Sequence, residues 1–341
     1  MLKDELYEIR EEEKEIEKIR STARRILSWT INNLKFIIIP AYRLEELSIK
    51  EYEYEKTISK RKFIRRFKSF LTLLGICLVF FIVTLAVFPH WISPYTYEDA
   101  NSGVFWGDWQ PPSPEHLLGT TKFGRDVLSR LIFGARTSLL VALPAISLSV
   151  VAGVLFGVIA AYYRGWVDSL IMRIMDVLLA FPGLILALVF ISVFTNLLKT
   201  EVRIEYIMLA WGILGIPYYS RLIRGNVLQA RELPYVQAAR VAGAGNWRIM
   251  FKHILPNVIQ PIIVSVTFNI GGIILSLAGL SFLGFSDPLM IDWGNEIADT
   301  RDRLYDAPWA SMWPGFFILL SVMGFMLLGD GLRDALDPRM K

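Results

Sequence analysis

The sequence has few of the residues that disulfides, metal sites and catalytic sites use. Its 341 residues include one cysteine, Cys77, and three histidines, His90, His116 and His253. A single cysteine rules out an intrachain disulfide. The histidines are scattered and form no His-Glu-x-x-His pattern, and no cysteine cluster accompanies them. We therefore expect no bound metal.

The sequence also lacks the motifs of a nucleotide-binding or hydrolytic enzyme. No Gly-Lys dipeptide occurs anywhere, so there is no Walker A phosphate loop. Ser129 and Ser281 have no companion histidine and aspartate in a recognisable motif. The chain is therefore expected not to be an enzyme, and if ATP drives its activity, another polypeptide must bind that ATP.

Charge is nearly absent from several long apolar runs. Hydrophobic residues make up 54% of the chain, and its mean hydropathy is +0.43. Runs of this kind predict an all-α, polytopic membrane protein with about six transmembrane helices. The fourth run is short and contains Gly212, Gly215 and Pro217, which is typical of a helix that lines a path. The candidate spans are 70–88, 139–162, 177–194, 206–220, 258–285 and 309–328.

The charges between the spans predict an orientation. Residues 60–68, before the first span, are basic, and so is the stretch between the fourth and fifth spans, where Glu232 is the single acid. The stretch between the fifth and sixth spans is mainly acidic. Basic loops stay on the cytoplasmic side. Both termini and the 221–257 stretch are therefore expected in the cytoplasm.

The first 59 residues form a separate N-terminal extension. Residues 1–25 are mostly charged, with a thin apolar stripe, and fit either a docking helix or a solvated tail. Residues 26–39 have one apolar face but are too short to span, so they predict an amphipathic helix in the membrane surface, with a helix packed against the rest of the protein as the alternative. The remaining segments are 60–136, with the first span and its outer loop, and 137–341, with the other spans and a cytoplasmic loop at 224–257.

Residues 234–257, called the insert below, predict two short helices outside the bilayer. Pro234 suits a first helical turn. Gly243 and Gly245 are expected to end the first helix in the left-handed conformation, and Asn246 to cap the second. A plain helical connection between two spans fits these residues equally well.

Polar and small residues within or beside the spans leave several interpretations open. Asp126 and Arg130 are four apart and predict a helix-stabilising pair. Arg173 and Asp176 predict a similar pair, three residues apart. In the fifth span, Asn269 and Gln260 either line a translocation path or bond a neighbouring helix. Gly271, Gly272 and Gly279 are expected to allow close helix packing.

The insert resembles the coupling motif of ABC-importer permeases, in which Glu-Ala-Ala, a later Gly and a Leu-Pro keep a fixed spacing. Gln237 stands where the family usually has Glu, and His253 resembles the oligopeptide/dipeptide branch. By this resemblance, the residues that contact an ATPase are Gln237, Ala238, Ala239, Arg240, Gly243, Trp247, His253, Leu255 and Pro256.

Further matches at 180–182, 280–284, 293–295 and 329–339 extend the resemblance over 60–341. It implies the C-type permease of an oligopeptide/dipeptide ABC importer in a prokaryotic inner membrane. Phe181 and Pro182 would join Asn269 and Gln260 along the pathway.

The resemblance also implies partners. These are a homologous second permease, two ATPase subunits that hold ATP and Mg²⁺, an extracytoplasmic substrate-binding protein and the lipid bilayer. No cofactor in this chain and no nucleic acid are expected. Cargo other than peptides, namely oligosaccharides or nickel, fits the same architecture. A self-contained channel or secondary carrier is the alternative of a different class.

Overall fold

The computed structural model describes residues 69–102 and 107–336. Their regular elements are helices, and their one β-type contact is an antiparallel bridge between Thr120 and Asp126. The predicted all-α class is confirmed. In chain order the helices are α1 (Phe70–Val87), α2 (Pro89–Ile92), α3 (Tyr97–Ser102), α4 (Val127–Tyr163), α5 (Gly165–Leu179), α6 (Gly183–Leu198), α7 (Ile204–Ala230), α8 (Pro234–Val241), α9 (Asn246–Arg248), α10 (Leu255–Val258), α11 (Gln260–Phe282), α12 (Trp293–Thr300) and α13 (Pro308–Leu336). Short 3₁₀ turns occur at Lys122–Gly124 and Arg301–Arg303.

Three of the predictions lie outside the described residues. They are the N-terminal extension at 1–59, the basic cluster at 60–68, and the part of the C-terminal motif beyond residue 336.

Four described helices are long and apolar enough to cross a membrane. They are α1, α4, α11 and α13, and α5 with α6 makes a fifth if the pair counts as one bent span. The predicted span 206–220 lies within α7, whose 27 residues would extend about 40 Å. Charged Arg221 and Arg224 in its second half keep α7 out of the apolar group.

The predicted third span, 177–194, is wrong as a single helix. α5 ends at Leu179, α6 begins at Gly183, and the two helices are bent by 92°. Pro182 has no N–H to continue the helix, and its ring disfavours helical geometry at the preceding Phe181. Sequence reasoning placed 180–182 inside a span, whereas these residues form its break.

One end of the helix bundle, called the insert end below, brings together helix ends that are distant in the sequence. Nη1 of Arg231, just after α7, donates to the carbonyls of Ala161 and Tyr162 at the end of α4, at 3.1 and 2.8 Å. Nε2 of Gln260, at the start of α11, donates to the carbonyl of Leu336 at the end of α13.

The opposite end, called the loop end, joins the other helix termini. The backbone N–H of Ile204, at the start of α7, donates to Oδ2 of Asp287, which follows α11, at 3.0 Å. Trp309, at the start of α13, donates from its indole N–H to the carbonyl of Thr120 at 3.2 Å, in the segment before α4.

These contacts fix the course of the chain. The first turns of α1 pack on the last turns of α13, since Thr72 lies where a Cβ on Gly331 would stand. Within residues 69–336, the described part of the chain therefore runs between the two ends six times, through α1, α4, the α5–α6 pair, α7, α11 and α13. This agrees with the predicted count of six spans. Only four of the described helices, or five if the bent α5–α6 pair counts as one span, have the length and apolar composition that crossing a membrane needs.

Two predicted local ion pairs are wrong, because Asp126 caps its own helix and because Arg130 and Asp176 bind partners on other helices. α4 begins at Val127, well before the predicted 139, and Asp126 caps it by accepting from the N–H and Oγ of Ser129 at 2.8 and 2.7 Å. Arg130 instead binds Glu296 of α12 at 2.6 Å. Asp176 of α5 pairs with Arg221 of α7.

α5 is held on α7 by a second ion pair. Asp168 accepts from Nε and Nη2 of Arg224, each at 2.6 Å, in a two-pronged carboxylate–guanidinium contact. The two carboxylates are eight residues apart on α5. Together the two ion pairs fix the orientation of α5 relative to α7.

Candidate functional site

The insert folds into short helical segments, as the sequence predicts. Pro234 occupies the first turn of α8, and Gly243 adopts the left-handed conformation, with a φ of +79°. Gly245, with a φ of −66°, is extended, so only one of the two glycines ends the helix as predicted. After α9 the chain continues through a π-helical turn, Ile249–Ile254, into α10.

The predicted capping role of Asn246 is wrong. Its side chain makes no capping hydrogen bond. Its Oδ1 accepts from the hydroxyl of Tyr162 on α4, at 2.8 Å. Gly245, whose φ and ψ are extended, stands at the N-cap position instead. The asparagine therefore ties the insert to a spanning helix.

The insert has a buried root. Val236, Ile249, Met250 and Ile254 are at most 1% exposed and join the apolar core of the helix bundle. The burial of four such side chains stabilises the insert's position by roughly 1.5–3 kcal/mol each. It is therefore fixed to the bundle as a packed element.

The opposite surface of the insert is exposed. Val241 is 90% and Trp247 63% exposed, and the Trp247 ring lies 4.3 Å from the ring of Phe251. Nε2 of Gln237 donates to the carbonyl of Glu232, just before the insert, at 3.1 Å. Of the nine residues predicted to contact an ATPase, six are exposed (Gln237, Ala238, Arg240, Gly243, Trp247, Pro256) and three half-buried (Ala239, His253, Leu255).

Arg231 connects α7, the insert and the end of α4. Besides donating to the Ala161 and Tyr162 carbonyls, it lies beside Glu232, which also binds Arg164 at 2.8 Å. Burial, and then the charge of Arg164, lower the pKa of the Arg231 guanidinium. An arginine that satisfies the last carbonyls of a helix acts as a C-terminal cap. No local sequence pattern predicts this role.

A second candidate site is a cavity of about 270 Å³ among α4, α7, α11 and the start of α6. Asn269, predicted to line a path, borders this cavity, and its Nδ2 donates to the hydroxyl of Tyr219 at 2.8 Å. Tyr218 and Ser276 also line it.

The other predicted pathway residues lie elsewhere. Gln260 bonds the end of α13 at the insert end, which is the second of its two predicted interpretations. Phe181 and Pro182 are exposed at the α5–α6 break, and Gly183, the next residue, borders the cavity. Tyr219 went unnoticed in the sequence, although a hydroxyl beside Pro217 in an interrupted span was a usable signal.

The loop end contains a network of buried polar side chains. Arg130 also donates from Nη1 to the carbonyl of Ala100 at 2.7 Å, in addition to binding Glu296. Asp292 accepts from Ser281 Oγ and from the N–H of Gly294, both at 2.6 Å. Burial raises the pKa of the Asp292 carboxyl. This network joins α3, α4, α11 and α12.

His116 and Asp126 form another buried contact at the loop end, with Nδ1 and Oδ1 3.0 Å apart. Within the ranges that the structure describes, no group of three or more His, Cys, Asp or Glu residues is placed to hold a metal ion.

Known proteins resemble this chain over most of its length. Residues 153–341 match the family described as the binding-protein-dependent transport system inner membrane component. The dipeptide transport system permease protein DppC of Alkalihalophilus pseudofirmus is 39% identical over 275 residues, which cover 80% of this chain and 88% of the relative. The glutathione transport system permease protein GsiD of Pectobacterium atrosepticum is 37% identical over 289 residues, covering 82% and 91%.

A solved structure shares the fold. It is an inward-facing MetNI methionine ABC transporter, with a TM-score of 0.52 and 17% identity, and the similarity covers 61% of this chain and 97% of the other. At this identity the match concerns the fold alone.

Proposed function

Because this chain belongs to the family of binding-protein-dependent transport system inner membrane components, we propose that it is a permease subunit of an ATP-driven peptide importer. Its relatives include proteins named for dipeptide and glutathione transport, and these names support the peptide class. A second permease completes the pathway, and an extracytoplasmic binding protein delivers cargo. Two separate ATPase subunits hold ATP and Mg²⁺.

The observation that carries the proposal is the construction of the insert, with a buried root and an exposed outer surface. Val241 and Trp247 present apolar area to solvent on that surface. Tryptophan is enriched among the few interface residues that carry most of the binding energy between two proteins. The insert therefore offers a docking surface to an ATPase subunit, on the cytoplasmic side of a prokaryotic inner membrane.

The root carries motion into the bundle by two routes. One route is covalent, because the insert directly follows α7. The other runs to α4, through the Arg231 bonds to the last α4 carbonyls and the Tyr162–Asn246 hydrogen bond. A rigid-body shift of a docked ATPase thus moves α4 and α7 together, which are the helices with the most extensive mutual packing.

The experiment is purification from the native membrane, with identification of the co-eluting proteins. We expect a second permease and two ATPase subunits. Val241→Asp puts a charge on the outer surface of the insert without disturbing its root, and should release the ATPases while retaining the second permease.

The matched control is Leu289→Asp, a charge at a side chain that is 75% exposed at the loop end. This variant should keep the ATPases. If the wild-type chain elutes alone and homogeneous, a channel or carrier that works by itself replaces the importer proposal. Wild-type ATPase content in Val241→Asp would mean that docking occurs elsewhere.

A further inference from the structure

The cavity among α4, α7, α11 and α6 differs chemically from the rest of the bundle interior. Its lining combines aliphatic side chains and glycines with hydroxyl, indole and amide groups, and none of the side chains that line it is charged. A charged group entering such a site without a counter-charge would lose much of its hydration energy. The cavity therefore suits a polar but neutral group.

Asn269 and Tyr219 offer hydrogen bonds of both kinds to such a group. Their mutual bond of 2.8 Å uses one of the two amide protons of Asn269 and one lone pair of the Tyr219 oxygen. Asn269 keeps its carbonyl acceptor, and Tyr219 keeps its hydroxyl proton. The pair can thus accept from an N–H and donate to a C=O.

The cavity is also small. Its volume of about 270 Å³ is just below the roughly 300–1,000 Å³ of pockets that enclose a whole small molecule. It therefore fits one segment of an extended ligand. Gly183 and Gly272 keep it open, because a Cβ at either position would meet no atom within 4 Å. For Gly272 this contradicts the predicted role in close packing, whereas a Cβ added to Gly271 would stand 3.3 Å from the Cα of Val322.

We propose that this cavity is a pathway site that binds the amide group of a peptide backbone, one residue at a time, through Asn269 and Tyr219. The proposal rests on the peptide-importer function and deepens it. Because the backbone amide is common to all peptides and is neutral, a site of this kind accepts cargo whatever the charge of its side chains. Sugars and metal ions lack the paired N–H and C=O that Asn269 and Tyr219 complement.

The test uses the assembled transporter with its binding protein in proteoliposomes, and measures uptake of trialanine, trilysine and triglutamate. Asn269→Leu removes the acceptor and should slow all three to a similar degree, by about tenfold. Gly272→Leu fills the cavity without meeting neighbouring atoms at its Cβ and should slow all three as well. Asn269→Asp introduces a carboxylate and should favour trilysine over triglutamate.

The matched control is Gly315→Leu, at a glycine of α13 that also has space for a Cβ but does not line the cavity. It should import all three peptides at the wild-type rate. Each variant is compared at equal recovery of the intact complex. Wild-type uptake by both Asn269→Leu and Gly272→Leu, or a loss confined to one charge class, overturns the cavity proposal alone. If the wild-type complex imports none of the peptides, the peptide function itself fails.

Discussion

Arg130 and Glu296 lie 166 residues apart in the sequence and form a buried ion pair at the loop end, with Nε and Oε1 2.6 Å apart. Both side chains are less than 5% exposed. Because Arg130 also binds the Ala100 carbonyl, one guanidinium fastens α4 to α12 and to α3. This contact therefore joins three helices at the loop end.

Arg130→Leu should lower the free energy of unfolding by roughly 3–5 kcal/mol, since it leaves the Glu296 carboxylate buried without its partner. The double variant with Glu296→Leu should be less destabilised than the sum of the single variants. Thermal unfolding in detergent gives the values for this double-mutant cycle. Additive effects would mean that the two groups do not stabilise each other.

Asp292→Asn should remove a pH dependence of stability. Burial raises the pKa of Asp292 above its ordinary 3.8, so the folded state holds the proton more tightly than the unfolded chain. The stability that this group contributes is fully present below the ordinary pKa. It is lost as the pH rises through the pKa that Asp292 has in the folded state. The asparagine keeps the cap on Gly294 and mimics the neutral form.

The difference in Tm, variant minus wild type, should therefore increase between about pH 4 and pH 8. Asp299→Asn, which removes an exposed carboxylate from α12, is the matched control. A constant difference across this range would exclude a titration of Asp292.

Gly294→Ala should disrupt the packing of α12 on α11. A Cβ at this position would stand 2.6 Å from the Cα of Ala278, a backbone atom that cannot rotate away. We expect a loss of about 3 kcal/mol or more, at the upper end of overpacking effects. Gly245→Ala, whose Cβ would meet nothing within 4 Å, should be tolerated. Equal Tm values for the two variants would refute this packing argument.

Tyr162→Phe should weaken the connection between the insert and α4 with little effect on folding. It removes one hydroxyl, and with it the 2.8 Å bond to Asn246, which is worth about 0.5–1.5 kcal/mol. The expected result is a higher ratio of ATP hydrolysed to peptide imported. Tyr163→Phe, at the exposed neighbouring tyrosine, should leave the ratio unchanged. An unaltered ratio in Tyr162→Phe would mean that the Tyr162–Asn246 hydrogen bond does not transmit motion to α4.

Much of this architecture was predictable from the sequence, because hydrophobic runs and helix-ending residues act locally. The apolar stretches gave the spans, and Pro234 and Gly243 gave the limits of α8. The partners of the charged residues were not predictable. Asp126 and Arg130 have ideal spacing for a local pair, but Asp126 caps α4 through Ser129 and Arg130 binds Glu296 on another helix.

The candidate sites were predictable to different degrees. The insert could be recognised because its residues are contiguous. Asn269 could be singled out as a polar group in an apolar span, but its partner Tyr219 lies 50 residues earlier in the chain. Neither the cavity nor the role of Arg231 as a cap on another helix produces a periodic pattern in the sequence.

The two ion pairs between α5 and α7 have a consequence for biosynthesis. During translation α5 emerges before α7, so Asp168 and Asp176 first approach the bilayer without Arg224 and Arg221. Unpaired charges are costly next to lipid. We expect the segment from α5 to α7 to integrate as one unit, only after the arginines have left the ribosome. Nascent chains that end before residue 224 and chains long enough for residue 224 to have left the ribosome should then differ in the labelling of a cysteine placed in α5, and identical labelling would refute this order.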